Sequence, residues 1–262
     1  MAFLNFIIDW VNNPNSKRIL VLFGLAGTGK SSITHEITRR FNEMHCLTSS
    51  CFFVRKERSK ADAYHLFMNL AHDLTDRYPL FKAVLGEIIK DDTSLRRSTC
   101  DYGTLFRHLI LEPLRDVPIV GPILVVIDAL DESRDTTSKD GLHTFLANNL
   151  STLPSNVHVL ITLWPEGGIK PAFLAVDSVI IKDMNDHELA TTTHDDILTF
   201  LQTKLVSHDF EQYSKALARR AEGLFQWAAV ACGYILECKP VPTSSRKGRI
   251  DYLLKSTGGH HG

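Results

Sequence analysis

The sequence predicts an α/β fold, a doubly wound, mainly parallel five-stranded sheet followed by a small all-helical subdomain. Short, continuously apolar runs alternate with helical patterns as far as Lys182, and the strand signal stops there. Strands that are apolar throughout are typical of a parallel sheet covered by helices on both faces. Their alternation with helices indicates the doubly wound arrangement.

The first predicted element is an amphipathic helix within residues 1–17, which ends near Pro14. The five predicted strands are Ile19–Phe23, Cys51–Val54, Ile123–Ile127, Val157–Thr162 and Val179–Ile181. The helical patterns between the strands are Ser32–Met44, Ala61–Tyr78, Phe81–Lys90, Tyr102–Leu114 and Leu142–Leu150. These segments make residues 18–182 the expected core of the fold.

Residues 183–239 are expected to form the helical subdomain. Two helical patterns, Asp186–Val206 and Phe210–Leu236, cover most of this region. The segment 240–262 contains Pro, Ser and Gly around one apolar patch, Ile250–Leu254. We expect it to be a mostly flexible tail.

Composition and charge exclude several classes of protein. The net charge of -1 gives no global basic field that would attract nucleic acid or anionic lipid. The five cysteines form no CxxC pair and no secretory signal precedes them, which favours reduced thiols in a cytoplasmic protein. Asn5 and Asp9 interrupt the apolar N-terminus, which is far shorter than the ~20 residues of a membrane span. Neither a membrane nor a nucleic-acid partner is expected.

A glycine-rich segment follows the first predicted strand and matches the pattern G-x-x-x-x-G-K-[ST]. Backbone N–H groups of such a loop, together with the positive end of the following helix, bind phosphate oxygens. Lys30 is expected to reach the β- and γ-phosphates, and the Ser31 hydroxyl to ligate Mg²⁺. The predicted nucleotide-binding residues are Gly24, Leu25, Ala26, Gly27, Thr28, Gly29, Lys30, Ser31 and Ser32.

Three acidic residues follow the apolar strand Ile123–Ile127. Asp128 ends that strand, at the edge of an open α/β sheet where ligands bind, and is the predicted second ligand of Mg²⁺. Asp131 and Glu132 are the candidate catalytic residues, and Glu132 is preferred for orienting or deprotonating the attacking water. The alternative for these two residues is a solvated helix start, where acidic side chains are favoured.

Together these residues resemble the NACHT-type signal-transduction ATPases, known as STAND proteins, and specifically their nephrocystin-like N-terminal group from fungi. Asp128–Glu132 matches the family's metal motif, in which an apolar strand precedes Asp, a small residue, an apolar residue, Asp and Glu. Further matching segments are the helix that ends at Trp10, Cys51–Arg55, Leu105–Leu114 and Gly223–Ile235. The resemblance spans roughly residues 4–254 and implies a P-loop NTPase core with a helical domain. It also implies ATP or ADP with Mg²⁺, a switch role, slow hydrolysis and self-association or protein partners.

The sequence departs from the family pattern at two points. Trp164 stands in the stretch Thr162–Glu166 where family members have an arginine that senses the γ-phosphate. Because tryptophan carries no positive charge, hydrolysis is expected to be impaired while nucleotide binding is retained. The family's effector, winged-helix and repeat domains are also expected to be lacking.

Two other functions compete with the switch module. The first is a scaffold or interaction protein with a vestigial nucleotide site, which Trp164 and the expected lack of flanking domains favour. The second is a small-molecule P-loop kinase. The sequence offers no arginine-rich lid segment of the kind that such kinases use, so this alternative ranks last.

Overall fold

The computed structural model describes residues 2–44, 47–54, 63–92, 95, 101–133, 141–164, 169–206, 210–236 and 246–255. These residues divide into two compact units. The sheet unit comprises Leu4–Gly24 and Lys30–Asp183. The helical unit comprises Met184–Gly262 together with two short segments, Met1–Phe3 and Leu25–Gly29.

The described strands of the sheet unit form one five-stranded parallel sheet in the order β2-β3-β4-β1-β5. This arrangement confirms the predicted fold class. The strands are β1 (Ile19–Phe23), β2 (Leu47–Phe52), β3 (Ile123–Asp128), β4 (Val157–Leu163) and β5 (Val179–Asp183). Every residue of β1, β3 and β4 is buried, as the continuously apolar runs require of strands covered on both faces.

Helices of the chain as far as β5 are α1 (Ala2–Asn12), α2 (Lys30–Glu43), α3 (Ala63–Arg77), α4 (Pro79–Asp91), α5 (Tyr102–Phe106), α6 (Glu112–Asp116), α7 (Leu142–Asn149) and α8 (Ile169–Leu174). A π-helical segment, Arg107–Leu111, joins α5 to α6. It interrupts the regular helix predicted for Tyr102–Leu114. Pro113 has no N–H to donate, and a proline ring clashes with the carbonyl four residues earlier, which here is that of Leu109, so a wider turn is favoured.

Beyond β5 lie α9 (His187–Leu205), α10 (Ser214–Ala221), α11 (Phe225–Leu236) and α12 (Arg246–Lys255). Their core is a cluster of buried residues that includes Leu201, Leu217, Ala228 and Ile235. The structure differs from the sequence expectation at two points. The predicted helix Phe210–Leu236 is divided in two, and a helix lies within the segment that was expected to be flexible.

The predicted helix Phe210–Leu236 is divided because Glu222 and Gly223 both have positive φ, 49° and 81°. The glycine adopts this left-handed conformation readily, which ends α10. Helix α12 occupies part of the predicted flexible tail. Ile250 is fully buried there, and Arg249 donates from Nη1 to the carbonyl oxygen of Tyr234 at 2.8 Å.

Strand β2 lies earlier than predicted, at Leu47–Phe52 instead of Cys51–Val54. Its polar residues hide it from a search for apolar runs. Ser49 is buried, and its hydroxyl donates to Oδ2 of Asp73 on α3 at 2.5 Å. A side-chain hydrogen bond therefore takes the place of apolar burial at this position. Across the described ranges, no helix has the length and apolar character to cross a membrane.

Candidate functional site

The glycine-rich segment connects β1 to α2, as its sequence position predicts. Leu25, Ala26, Gly27 and Thr28 form a turn in which the N–H and the hydroxyl of Thr28 both donate to the carbonyl oxygen of Leu25, at 3.4 and 2.8 Å. Gly27 and Gly29 have φ values of 81° and 96°. A side chain would be strained at these values, so the backbone course of this loop depends on Gly27 and Gly29.

Within the helical unit, the first turn of α11 contacts this same loop. The N–H of Gln226 donates to the carbonyl oxygen of Gly27 at 3.1 Å. A Cβ atom at Gly27 would lie 3.2 Å from Oε1 of Gln226, and one at Gly29 would lie 3.6 Å from Cβ of Phe225. This contact could not be predicted from the sequence, because nothing in the loop motif specifies which element packs on it.

Lys30 is the first residue of α2, and its ammonium group donates to the carbonyl oxygen of Gly24 at 2.6 Å. Burial lowers the pKa of Lys30, while the carboxylates of Asp131 and Asp128 act in the opposite direction. The structure thus brings together a lysine and two aspartates that the sequence predicts for one site. Ser31 and Ser32, the next residues of α2, are exposed.

Asp128 ends β3 and is buried, with 4% of its surface exposed. Its Oδ1 accepts from the hydroxyl of Thr162 at 2.5 Å and lies 3.0 Å from the hydroxyl oxygen of Thr34. Thr162 Oγ1 also accepts from the N–H of Ala129 at 3.0 Å. The carboxylate is therefore fixed to β4 on one side and to α2 on the other.

Thr34 and Thr162 contact the Asp128 carboxylate, and sequence reasoning missed both of them. Thr34 lies one helical turn after Ser31 on α2, and its hydroxyl is also 3.0 Å from the carbonyl oxygen of Ser31. Thr162 comes beside Asp128 because β3 and β4 are neighbours, with Ile127 paired to Ile161. The only local sign of Thr162 was a threonine near the end of an apolar strand. To place it beside Asp128 one must know the strand order, which the sequence does not specify.

Asp131 and Glu132 belong to a short 3₁₀ helix, Leu130–Glu132, whose Leu130 is fully buried. Oδ1 of Asp131 accepts from the backbone N–H of Trp164 at 2.8 Å. One oxygen of this carboxylate therefore holds the chain just after β4. Trp164 contributes its backbone to that contact. Pro165 and Glu166, the remainder of the family stretch, lie outside the described residues.

The donor set fits a magnesium ion bound together with phosphate. Mg²⁺ is usually held by one or two carboxylates, water and substrate phosphates, so a cage of protein ligands is not required. In the described part of the chain no group of three or more His, Cys, Asp or Glu residues forms such a cage. Both hydroxyl contacts of Asp128 described above are made by Oδ1.

Residues 5–162 match the family described as Nephrocystin 3, N-terminal. The match covers more than half of the chain. The chain belongs to the nephrocystin-3 N-terminal family. A comparison with curated proteins gave no match.

Solved structures share the fold of this nephrocystin-3 N-terminal chain at low sequence identity. A STAND protein with a tetratricopeptide repeat sensor from Pyrococcus horikoshii aligns with a TM-score of 0.52 and 14% identity, over 96% of this chain and 31% of that protein. The ORC2 protein from Aeropyrum pernix, in ADPNP-ADP complexes, aligns with a TM-score of 0.53 and 12% identity, over 97% of this chain and 64% of that protein. The chain thus spans less than two thirds of either protein. With the family match, these structures confirm the predicted α/β fold of a P-loop NTPase.

Proposed function

We propose that this chain is a nucleotide-binding switch module that binds Mg-ATP and Mg-ADP through Gly24–Ser32 and Asp128. Residues 18–182 form its P-loop core and 183–239 its helical subdomain. The observation that carries the proposal is the fixation of Asp128. Hydroxyls from α2 and β4 hold this carboxylate in one place, and α2 is the helix that begins with Lys30 and Ser31.

The loop and the start of α2 supply the groups that a polyphosphate requires. The glycines at positive φ allow the backbone N–H groups to turn toward phosphate oxygens, and the first turn of α2 adds its unpaired N–H groups and its positive dipole. The ammonium group of Lys30 replaces its contact with Gly24 by contacts with the β- and γ-phosphates. A charged donor makes hydrogen bonds roughly twice as strong as neutral ones.

Mg²⁺ would be held by the hydroxyl of Ser31 and by Asp128, directly or through water. When bound, the ion neutralises charge on the β- and γ-phosphates. Thr34 and Thr162 keep the carboxylate oriented so that its second oxygen serves the ion. Because the Asp128 carboxylate is already held in position, binding of the ion carries a smaller entropy cost than it would with a mobile side chain.

Hydrolysis is proposed to be slow. Asp131 uses one oxygen to hold the backbone of Trp164, so Glu132 is the better candidate for orienting water. Trp164 offers a neutral indole N–H where the family pattern has a cation, and therefore no charge to stabilise the transition state. This same observation favours the second candidate, an interaction protein that holds nucleotide without cutting it. Protein partners or self-association through the core would then carry its role.

Calorimetric titration of the wild-type chain with ATP, ADP and GTP, each with and without Mg²⁺, tests the proposal. We expect micromolar binding of the adenine nucleotides, tighter with Mg²⁺ for ATP, and weaker binding of GTP. Single-turnover hydrolysis of ATP, followed over hours, then separates a slow switch from a non-hydrolysing scaffold. An absence of heat and of thermal stabilisation with all three nucleotides would overturn the proposed function.

A further inference from the structure

The first turn of α11 holds the middle of the glycine-rich loop. Gln226, the second residue of α11, donates its backbone N–H to Gly27, and both residues belong to the helical unit. A Cβ atom added at Gly27 would press on Gln226, and one added at Gly29 would touch Phe225. The backbone of the glycine-rich loop therefore packs directly against the first turn of α11.

The hydrogen bond uses a group that a helix start leaves without an internal partner. The first four N–H groups of an α-helix have no carbonyl within the helix to bond. The N–H of Gln226 is one of them, and the loop carbonyl of Gly27 provides its acceptor. Both groups are satisfied by a single contact.

Helix α11 is itself firmly held, so the contact fixes the loop to a packed bundle. The ring of Phe225 lies against that of Phe200 on α9, with centroids 5.0 Å apart. Ala228 and Cys232, further along α11, are buried in the core of the helical unit. A loop that is hydrogen-bonded to the start of α11 has fewer conformations available than a loop exposed to solvent.

The contact engages a carbonyl of the loop, and phosphate engages N–H groups. The helix start therefore does not compete with a nucleotide for the same atoms. A carbonyl that accepts a hydrogen bond is also less repulsive to a nearby anion than one without a partner. Both effects favour nucleotide binding when the contact is made.

We propose that the backbone N–H of Gln226 is a positioning group for the phosphate loop, which holds Leu25–Gly29 in its nucleotide-binding conformation. This inference rests on the proposed nucleotide-binding function. Because coupling between two equilibria is reciprocal, bound nucleotide must in turn strengthen the attachment of α11 to the loop. The helical unit thereby senses whether the loop is occupied.

A pair of substitutions at one position tests the proposal. Gln226→Pro removes the N–H, and proline is accepted in the first turn of a helix. Gln226→Ala keeps the N–H and removes only an exposed side chain, so it is the matched control. A net hydrogen bond predicts that Mg-ADP binds about 3- to 10-fold more weakly to the proline variant, and unchanged to the alanine variant.

Hydrogen exchange of the wild-type chain provides the second measurement, which remains valid if the proline variant fails to fold. Addition of Mg-ADP is expected to slow exchange of the Gln226 amide more than that of the Ala231 amide in the middle of α11. Equal affinities of the two variants, or unchanged exchange at Gln226 in nucleotide-bound protein, would overturn the inference. Wild-type protein that binds no nucleotide would instead overturn the proposed function, so the two failures are distinguishable.

Discussion

Two groups of residues in the sheet unit differ in how they are held. The group proposed to bind nucleotide, here called the binding group (Lys30, Ser31 and Asp128), includes a carboxylate fixed by hydroxyls from two neighbouring elements. The group proposed to act in hydrolysis, here called the hydrolysis group (Asp131, Glu132 and Trp164), includes a carboxylate that accepts from a backbone N–H. The first arrangement fixes a carboxylate in place, whereas the second uses a carboxylate to hold the chain after β4. This difference supports the proposal that the chain binds nucleotide but hydrolyses it slowly.

The largest expected effect comes from Lys30→Ala in the binding group. Loss of a charged donor to the phosphates should weaken Mg-ATP binding about 30- to 100-fold, which corresponds to roughly 2–3 kcal/mol. The unfolding temperature without nucleotide should stay close to that of the wild type, because burial disfavours the charged ammonium group of Lys30 and so offsets the loss of its hydrogen bond to Gly24.

Lys90→Ala is the matched control for this measurement, since Lys90 is an exposed lysine on α4 that pairs with Glu87. Its removal should leave the titration unchanged. Wild-type affinity in a folded Lys30→Ala protein would refute the phosphate-loop assignment and remove the basis of the comparison.

Asp128→Asn should produce a smaller effect that depends on the metal. The amide keeps an oxygen to accept from Thr34 and Thr162 but loses the charge that attracts the cation. We expect Mg-ATP affinity to fall about 10-fold and metal-free ATP affinity to change little. Titrations with Mg²⁺ and with a chelator measure the two cases. Equal losses in both would assign Asp128 a structural role.

Trp164→Arg sharpens the comparison from the side of the hydrolysis group. An arginine finger contributes ~10³-fold or more to phosphoryl transfer, and one held within the same chain is expected to contribute less. We expect single-turnover hydrolysis to rise about 10-fold while ATP affinity changes only modestly. The backbone N–H that bonds Asp131 is kept, so the 3₁₀ helix should not move.

The unfolding temperature of Trp164→Arg is measured beside the rate, because a packing role for the indole would appear as destabilisation. A stable variant without a rate gain would contradict the account of this position. Glu132 would then have to account for the proposed slow hydrolysis.

The sequence predicts those features that depend on neighbouring residues in the chain, and it fails for those that depend on residues far apart in the sequence. Strand β1 has its predicted bounds, and β3 and β4 each differ by one residue, since continuous apolar runs mark strands buried on both faces. The loop is located by its motif. The partners of Asp128 were not predicted, because Thr34 and Thr162 meet it only through the strand order. The early part of β2 was not predicted for a similar reason, since the buried Ser49 is accommodated by a hydrogen bond to Asp73 on α3.

In the helical unit, too, the sequence did not predict the features that depend on tertiary packing. The positive φ of Glu222 breaks a continuous helical pattern in which only Gly223 gives a local signal. Burial of Ile250 orders α12 within a segment whose composition is typical of a flexible tail. The contact between Gln226 and Gly27 joins residues 199 positions apart through backbone atoms, which no side-chain pattern encodes.

The smallest expected effect distinguishes the two hydroxyls that hold Asp128. Thr162→Val takes the partner from the part-buried Ala129 N–H and removes one of the two hydroxyls at Oδ1 of Asp128, whereas Thr34→Val removes a hydroxyl that Asp128 shares with the Ser31 carbonyl. Since a buried group without a partner costs about 1–3 kcal/mol, we expect Thr162→Val to lower the free energy of unfolding by about 1 kcal/mol more than Thr34→Val does.

Urea unfolding without nucleotide measures both variants of this pair. Thr199→Val serves as the control, because its hydroxyl is exposed and bonds a carbonyl on its own helix. A change within about 0.5 kcal/mol is expected for it, as for most surface substitutions. If the order were reversed, with Thr34→Val the more costly, α2 would be the main support of the carboxylate. The loop helix, and not the neighbouring strand, would then set the position of the proposed cation ligand.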